Sequence, residues 1–316
     1  MNNLKKVGLT ALGTALVTSS AVAGSLDVTG TAGITYVGNS GAGIQNGASK
    51  FTQKSTISFT GSADLDNGFT VSYYHNMAGR TNANSNSHFD VDMGDAGKIR
   101  FASNGVSGNG AVGSWDDKTP AANEESWDIK GGGGETGPVN QQTGDDSFIY
   151  TNTAIDGVTV VLNYKPSEST HDSTTGAGIA FTGMEGLNIG LAVEDNNTTD
   201  GAVVENTVMY ATYAIDAFTL GVQSNESDSQ TANSDTEFEA WGVSYAVSED
   251  ISVSYGSSKV EYETGASKSD QDADAIGVSW TNGSMSITAS RHKIDNVAGT
   301  STDDRDATEV NLTFAF

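Results

Sequence analysis

Apolar and polar residues alternate along almost the whole chain after residue 24. Val28, Ile34 and Tyr36 share one parity, while threonines such as Thr29 and Thr35 hold the other, and similar alternation recurs to the C-terminus. A period of two predicts a β-strand with one apolar face, whereas an amphipathic helix repeats every 3.6 residues. The pattern therefore predicts an all-β protein.

The connections between the predicted strands alternate in length. Short turns lie at residues 66–68, 94–97, 156–157, 183–186, 215–216, 249–250 and 282–283. Long polar loops lie near residues 38–49, 81–86, 104–145, 166–176, 195–203, 224–235, 263–271 and 295–304. Seven short turns and eight long loops give about sixteen antiparallel strands, and an even number is typical of transmembrane barrels with short periplasmic turns and long external loops. No linker divides residues 24–316, which we predict to be one barrel domain.

Composition separates a membrane barrel from a soluble sandwich. Hydrophobic residues make up 36% of the chain and charged residues 17%, against roughly 45–50% and ~25% in ordinary globular domains. A sandwich must fill a core with large apolar side chains, whereas a barrel in lipid needs only one thin apolar band around a polar lumen. The composition therefore favours a transmembrane antiparallel β-barrel.

Charge and cysteine content exclude other classes. The formal net charge of −25 would repel a phosphate backbone, so nucleic acid is not expected as a partner. The chain has no cysteine, which excludes disulfides, thiolate metal sites and cysteine nucleophiles.

The first 23 residues have the pattern of a signal peptide. Lys5 and Lys6 precede a weakly apolar stretch over residues 7–17, and Ala21 and Ala23 occupy the −3 and −1 positions before Gly24. Cleavage there removes two lysines and no acid, so the net charge of −25 becomes −27. We expect an exported bacterial-type protein.

These features, with the alternating C-terminal strand that ends at Phe316, resemble the sixteen-stranded general diffusion porins of Gram-negative bacteria, and most closely those of alphaproteobacteria. The resemblance covers essentially the whole mature chain. It implies an outer-membrane homotrimer surrounded by lipid and lipopolysaccharide, and a third loop folded into the pore. It also implies that Phe316 is an assembly signal for the barrel assembly machinery.

The loop over residues 104–145 is the longest, and loops beyond ~12–15 residues are usually functional or disordered. We interpret it, chiefly on the resemblance, as the pore constriction, with Trp115 and Trp127 as anchors; the alternative is an external acidic flap. Its candidate pore-facing carboxylates are Asp116, Asp117, Glu124, Glu125 and Asp128.

Basic residues on the polar parity are expected across the lumen from these carboxylates. Lys50 and Lys54 fall on the second predicted strand, Arg80 on the third and Arg100 on the fifth. Opposed charges would create a transverse field that orients dipolar solutes. The alternative is that these side chains snorkel at a rim, which fits Lys50 and Arg80 best.

Two positions depart from simple alternation. Phe238 and Trp241 have opposite parity, which indicates a bulge or a different start in the twelfth strand. Arg291 falls on the apolar parity, which leaves a bulge, a strand end or a trimer contact open.

Other motifs carry little chemistry. Residues 108–113 match a dinucleotide fingerprint, but no helix of a βαβ unit is predicted after them. Asp270, Asp272 and Asp274 are a weak candidate for Ca²⁺ binding, although no twelve-residue calcium loop is present. Neither a metal-spaced histidine pair nor a nucleophile elbow occurs. We predict no enzyme and no cofactor.

The sequence thus predicts an outer-membrane channel for passive diffusion of small hydrophilic solutes and ions, with a preference for cations. One alternative is a substrate-specific channel with a binding site in the constriction. The alternative from another class is a secreted acidic β-protein that acts as a Ca²⁺-binding or adhesive surface module.

Overall fold

The computed structural model describes residues 24–41, 50–79, 83–104, 110–129, 136–138, 145–167, 171–198 and 203–316. Within these ranges the chain forms one closed antiparallel barrel of sixteen strands. The strands are β1 (Ser25–Gly41), β2 (Lys50–Asp64), β3 (Thr70–Ala78), β4 (Ala83–Asp92), β5 (Lys98–Asn104), β6 (Ser147–Asn152), β7 (Val158–Lys165), β8 (His171–Met184), β9 (Leu187–Thr198), β10 (Val203–Ile215), β11 (Phe218–Ser229), β12 (Thr236–Ala246), β13 (Ile251–Tyr262), β14 (Gln271–Asn282), β15 (Met285–Asp295) and β16 (Arg305–Ala315). Short 3₁₀ turns occur at Gly94–Ala96, Thr264–Ala266 and Val297–Gly299.

The barrel closes because the last strand pairs with the first. Each other strand pairs with its neighbours in sequence, and β16 pairs with β1 over eleven residues from Thr31 to Gly41. Phe316 extends this ladder, since its amide donates to Gly30 O at 2.9 Å and its carbonyl accepts from Gly30 N at 2.8 Å. Closure leaves no exposed sheet edge, as the predicted strand number requires.

The alternation of short turns and long connections is confirmed, but several strands extend further than predicted. β9 continues to Thr198 and β11 to Ser229, into segments expected to be loops. Glu205 on β10 still pairs with Asp228 on β11 there. Beyond the apolar band both faces of a strand meet water, so apolar alternation stops while backbone pairing continues.

The two faces of the sheet have opposite character. Outward residues such as Leu220, Val222 and Trp241 are apolar and about half exposed, whereas inward neighbours such as Gln223 and Ser254 are polar and buried. An apolar surface of this extent indicates that the wall faces lipid. Among the described residues, no helix has the length and apolar character needed to cross a bilayer.

The two exceptions to alternation have structural explanations without a bulge. β12 keeps an unbroken register with both neighbours, and Phe238 points inward while Trp241 points outward. Arg291 lies within β15, also without a register shift, on the outer face, where Nη2 is 3.8 Å from Asp306 Oδ1. A bulge and a strand end are therefore wrong for Arg291, and a trimer contact stays a prediction.

Candidate pore constriction

The longest loop folds into the barrel instead of lying outside it. Its described parts, residues 110–129 and 136–138, contact the inner wall from β5 to β16. Near one end, Ala111 N donates to Asn163 Oδ1 on β7 at 2.8 Å. Near the other, Thr136 Oγ1 lies 2.7 Å from Tyr262 Oη on β13. An inward-folded third loop is thus confirmed, and the external flap is excluded for these residues.

Three apolar side chains anchor the loop to the wall. Trp115 packs beside Tyr210 with ring centroids 6.3 Å apart, and Trp127 meets Phe238 edge-on at 4.9 Å. Ile129 packs in a third buried cluster with residues of β14, β15 and β16. Burying a large apolar side chain stabilises by roughly 1.5–3 kcal/mol. The two tryptophans are anchors, as predicted, and Phe238 points inward because Trp127 covers it.

Two glutamines of the wall bind the loop main chain on both its donor and acceptor sides. Gln223 on β11 accepts from Lys118 N at 2.8 Å and donates to Asp116 O. Gln271 on β14 accepts from Thr136 N at 3.0 Å and donates to Thr136 O at 2.6 Å. Backbone polar groups away from water need such partners. Sequence reasoning missed these residues, whose only signal is a long amide side chain at an inward position.

The far part of the loop is tied to the last two strands. Asn123 Nδ2 donates to Ser290 Oγ at 2.9 Å, and Asn123 Oδ1 accepts from Thr288 Oγ1 at 2.5 Å and from Asn311 Nδ2 at 3.2 Å. Three neighbouring side chains on β15 and β16 therefore fix one loop residue across the lumen from where the loop begins.

Glycines on the inner wall make room for the loop. Trp115 lies against Gly178 on β8, and Pro120 lies against both Gly221 on β11 and Gly242 on β12. A Cβ at any of these glycines would overlap the loop atoms. Inward glycines therefore form the surface on which the loop packs, which we call the seat of the loop. The sequence alone indicates only that these glycines belong to a polar lumen.

The five predicted carboxylates lie in the inward segment, at Asp116, Asp117, Glu124, Glu125 and Asp128. Carboxylate oxygens of Glu124, Glu125 and Asp128 all lie within 4.8 Å of one another. Burial, with Asp117, Glu124 and Asp128 nearby, raises the pKa of Glu125 to about 8. Burial and the charge of Asp117 raise the pKa of Asp116 to about 7. Crowding of like charges in a partly dehydrated place thus keeps part of the loop protonated at neutral pH.

The predicted basic residues that are described face the lumen from β2 and β5. Lys50 and Lys54 are exposed on β2, on either side of Thr52. Thr52 pairs with Thr35 on β1, and Thr35 pairs on its other side with Asn311 on β16. Asn311 bonds to the loop, so these lysines lie at the height of its far part. Arg100 faces inward on β5 and bonds to Asp90. Arg80 lies outside the described residues.

The weak calcium candidates are not brought together. Asp272 and Asp274 are exposed on β14, and Asp274 Oδ1 accepts from Tyr255 Oη at 2.8 Å. Asp270 Oδ2 lies 3.1 Å from Lys259 Nζ. Asp274 and Asp270 thus have different partners, and among the described residues the three carboxylates do not form a group close enough to hold one metal ion.

A closed sixteen-stranded barrel with an apolar outer surface and a loop folded inside its lumen defines a transmembrane channel. The sequence profile of Gram-negative porins matches residues 8–316, and the chain belongs to this family. It is an outer-membrane porin channel.

Solved porins share the fold at low identity. The chain is similar to the anion-selective porin from Comamonas acidovorans, with a TM-score of 0.67, 14% identity and coverage of 93% of this chain and 100% of that one. It is also similar to Salmonella typhi OmpF in complex with daunomycin, with a TM-score of 0.71, 14% identity and coverage of 93% and 98%. The trimer form of Vibrio cholerae OmpT matches with a TM-score of 0.67, 14% identity and coverage of 93% and 100%. No curated protein sequence matches the chain. These similar identities do not distinguish alphaproteobacterial porins, so that closer kinship stays a prediction.

Proposed function

We propose that this porin is a general diffusion channel for small hydrophilic solutes and ions, that it prefers cations, and that residues 104–145 form its constriction. The observation that carries the proposal is the attachment of the acidic loop along the inner wall from β7 to β16. A loop held at so many points narrows the water-filled lumen, and its carboxylates set the local potential.

The sign of the selectivity depends on the charges that line the lumen. The Comamonas acidovorans porin is described as anion-selective although its fold matches this chain, so the fold alone does not decide the sign. The described inward residues include the five loop carboxylates and, on the wall, Asp27, Asp90, Asp92, Glu194 and Glu309. The inward basic residues are Lys118 on the loop and Lys50, Lys54, Lys98, Lys165, Arg100 and Arg305 on the described wall. A lumen with more carboxylates than basic groups attracts cations and repels anions.

The proposal extends to export and assembly. Residues 1–23, which lie outside the described ranges, act as the signal peptide, and N-terminal sequencing of the purified protein should begin at Gly24. Phe316 is the assembly signal, and its pairing with Gly30 supports a role at the closing seam. The protein works as a homotrimer, by analogy with the trimer form of Vibrio cholerae OmpT, in outer-membrane lipid and lipopolysaccharide.

Planar-bilayer recording of the purified protein tests the function. We expect stepwise conductance in groups of three and, in a KCl gradient, a reversal potential of the sign for a cation-preferring pore. Absence of channels, or an anion-selective reversal potential, would overturn the corresponding part of the proposal. Conductance that saturates with one solute, or is blocked by it, would favour a substrate-specific channel instead.

A charge-reversal pair tests the constriction. Glu124→Lys with Glu125→Lys should lower or invert cation preference because these groups lie on the inward loop. The matched control is Glu249→Lys with Asp250→Lys, the same charge change in an adjacent acidic pair at the β12–β13 turn. Equal effects of the two pairs, or no effect of the first, would contradict the constriction assignment.

A further inference from the structure

The carboxylate of Asp90 on the inner wall has three basic side chains of β4 and β5 as neighbours. Asp90 on β4 lies directly opposite Arg100 on β5 in the strand pairing. Arg100 donates from Nε to Asp90 Oδ1 at 2.7 Å and from Nη2 to Asp90 Oδ2 at 2.8 Å. Two parallel charge-assisted bonds hold the planar guanidinium against the carboxylate.

Two more basic groups border the same carboxylate. Lys98 Nζ is 3.7 Å and His88 Nε2 is 4.0 Å from Asp90 Oδ2. Asp90 is only 7% exposed, so little water separates its charge from these neighbours. The Asp90 carboxylate therefore offsets part of the positive charge of Arg100 and Lys98.

The cluster lies where the loop begins its contact with the wall. Arg100 pairs with Ile149 on β6, and Ala102 is the next inward residue of β5. Ile149 and Ala102 pack with Val112 of the loop in one buried cluster. The Asp90–Arg100 pair is therefore level with the loop, in the part of the lumen where a passing ion is closest to protein charges.

The lysines of β2 differ from this cluster. Lys50 and Lys54 face the lumen, are exposed, and form no ion pair with any residue that the structure describes. The two lysines of β2 are therefore open to the lumen, whereas the charge of the β4–β5 group is partly cancelled by Asp90.

We propose that Asp90 is a selectivity-determining residue of the pore. By cancelling the charge of Arg100 beside the first loop contacts, it leaves negative charge in excess at the height of the loop and so favours cations. Asp90 also positions the guanidinium, which keeps this side chain against the wall. The inference rests on the proposed channel function.

The test is the reversal potential of single-residue variants in a KCl gradient. Asp90→Asn should lower the cation-to-anion permeability ratio by about threefold, and Arg100→Gln should raise it by about the same factor, as one unit charge facing a wet lumen predicts. The double variant Asp90→Asn with Arg100→Gln removes one charge of each sign and should return the ratio close to that of the wild type. Asp27→Asn, at an exposed inward position on β1 near the short-turn end, is the control for a lost acid and should change the ratio less than Asp90→Asn.

The possible results distinguish failure of the role proposed for Asp90 from failure of the proposed channel function. Wild-type protein that forms no channels overturns the porin function. Channels whose selectivity is the same in the wild type, Asp90→Asn and Arg100→Gln overturn only the role of Asp90. A merely structural role predicts lower heat stability of both single variants without opposite shifts in selectivity, so Arg100→Gln decides the matter even where Asp90→Asn fails to fold. A double variant that remains anion-shifted also contradicts charge cancellation.

Discussion

Raising the pH should make the channel more selective for cations, because two loop carboxyls titrate near neutrality. The pKa of Asp116 is raised to about 7 and that of Glu125 to about 8, in both cases mainly by burial. Both groups are almost wholly protonated at pH 5 and almost wholly ionised at pH 9. The loop therefore gains about two negative charges over this interval, and the direction of the change is toward cations.

The size of the effect follows from Coulomb's law in a wet lumen. An ion ~6 Å from one carboxylate gains or loses roughly 0.7 kcal/mol in water, and salt screening reduces this to roughly 0.4 kcal/mol. Two carboxylates favour a cation and disfavour an anion by about 0.8 kcal/mol each. Since ~1.4 kcal/mol corresponds to a factor of ten, the cation-to-anion permeability ratio should rise about tenfold between pH 5 and pH 9.

The same shifts link pH to the attachment of the loop. A released loop would ionise Glu125 near its ordinary value of 4.5, whereas the docked loop holds the proton up to about 8. The docked state therefore loses stability as the pH rises through this window, and the loss is complete above the higher value. Proteolysis of the loop should accordingly be faster at pH 9 than at pH 5.

Reversal potentials at pH 5, 6, 7, 8 and 9 measure the predicted step. The variant Asp116→Asn with Glu125→Gln keeps the shapes of the side chains and should abolish most of the step while preserving channel formation. Asp250→Asn, at the β12–β13 turn, removes an acid elsewhere and should retain it. A wild-type ratio that is constant over this range, or a full step in the double variant, would refute the assignment of these groups.

Other substitutions test the attachment of the loop and the closure of the barrel. Trp127→Ala removes the ring that meets Phe238 and should destabilise loop attachment by about 3–5 kcal/mol, seen as faster proteolysis and noisier single-channel current; unchanged protease resistance would contradict the anchor. Gly221→Val should displace the loop by overlap with Pro120, and X-ray diffraction showing an undisturbed loop would disprove the seat. Gly30→Val places a Cβ 2.6 Å from the Phe316 ring and should cost about 1–3 kcal/mol at the seam, measured as a lower unfolding temperature on heat-shift gels. Gly61→Val on β2, where the nearest atom to an added Cβ is Ser25 O at 4.0 Å, is the control, and an equal loss in both variants would contradict the contact with Phe316.

The strand pattern could be predicted because the lipid band imposes it. Leu220 and Val222 must face hydrocarbon, so apolar side chains recur at every second residue wherever the wall crosses the membrane. Glu205 and Asp228 also pair outside the band, but there both faces of the strand meet water, so the sequence does not alternate between apolar and polar residues. Alternation therefore predicts strand ends too early in the external region, whereas all seven predicted short turns agree with the structure.

The inward position of the loop could be expected only from resemblance, and its contacts could not be predicted at all. Gln223 and Gln271 are polar residues on a polar face, and nothing local distinguishes a glutamine that binds the loop from one that meets water. The pairing of Asp90 with Arg100 depends on the register of β4 against β5. Alternation assigns each of them to the lumen but does not show that they neutralise each other.

Apolar residues at inward positions of the wall indicate where an internal element covers it, although simple alternation treats them as exceptions. Where the loop docks, inward positions hold apolar residues such as Ile149, Val208 and Phe238, so the strand is apolar on both faces. On the open wall, Lys54 and Thr52 occupy inward positions of β2. A transmembrane strand gains nothing from apolar side chains toward water, so such residues require a covering element inside the barrel. The opposite parity of Phe238 and Trp241 therefore results from the contact of Phe238 with the internal loop, whereas the strand itself is regular.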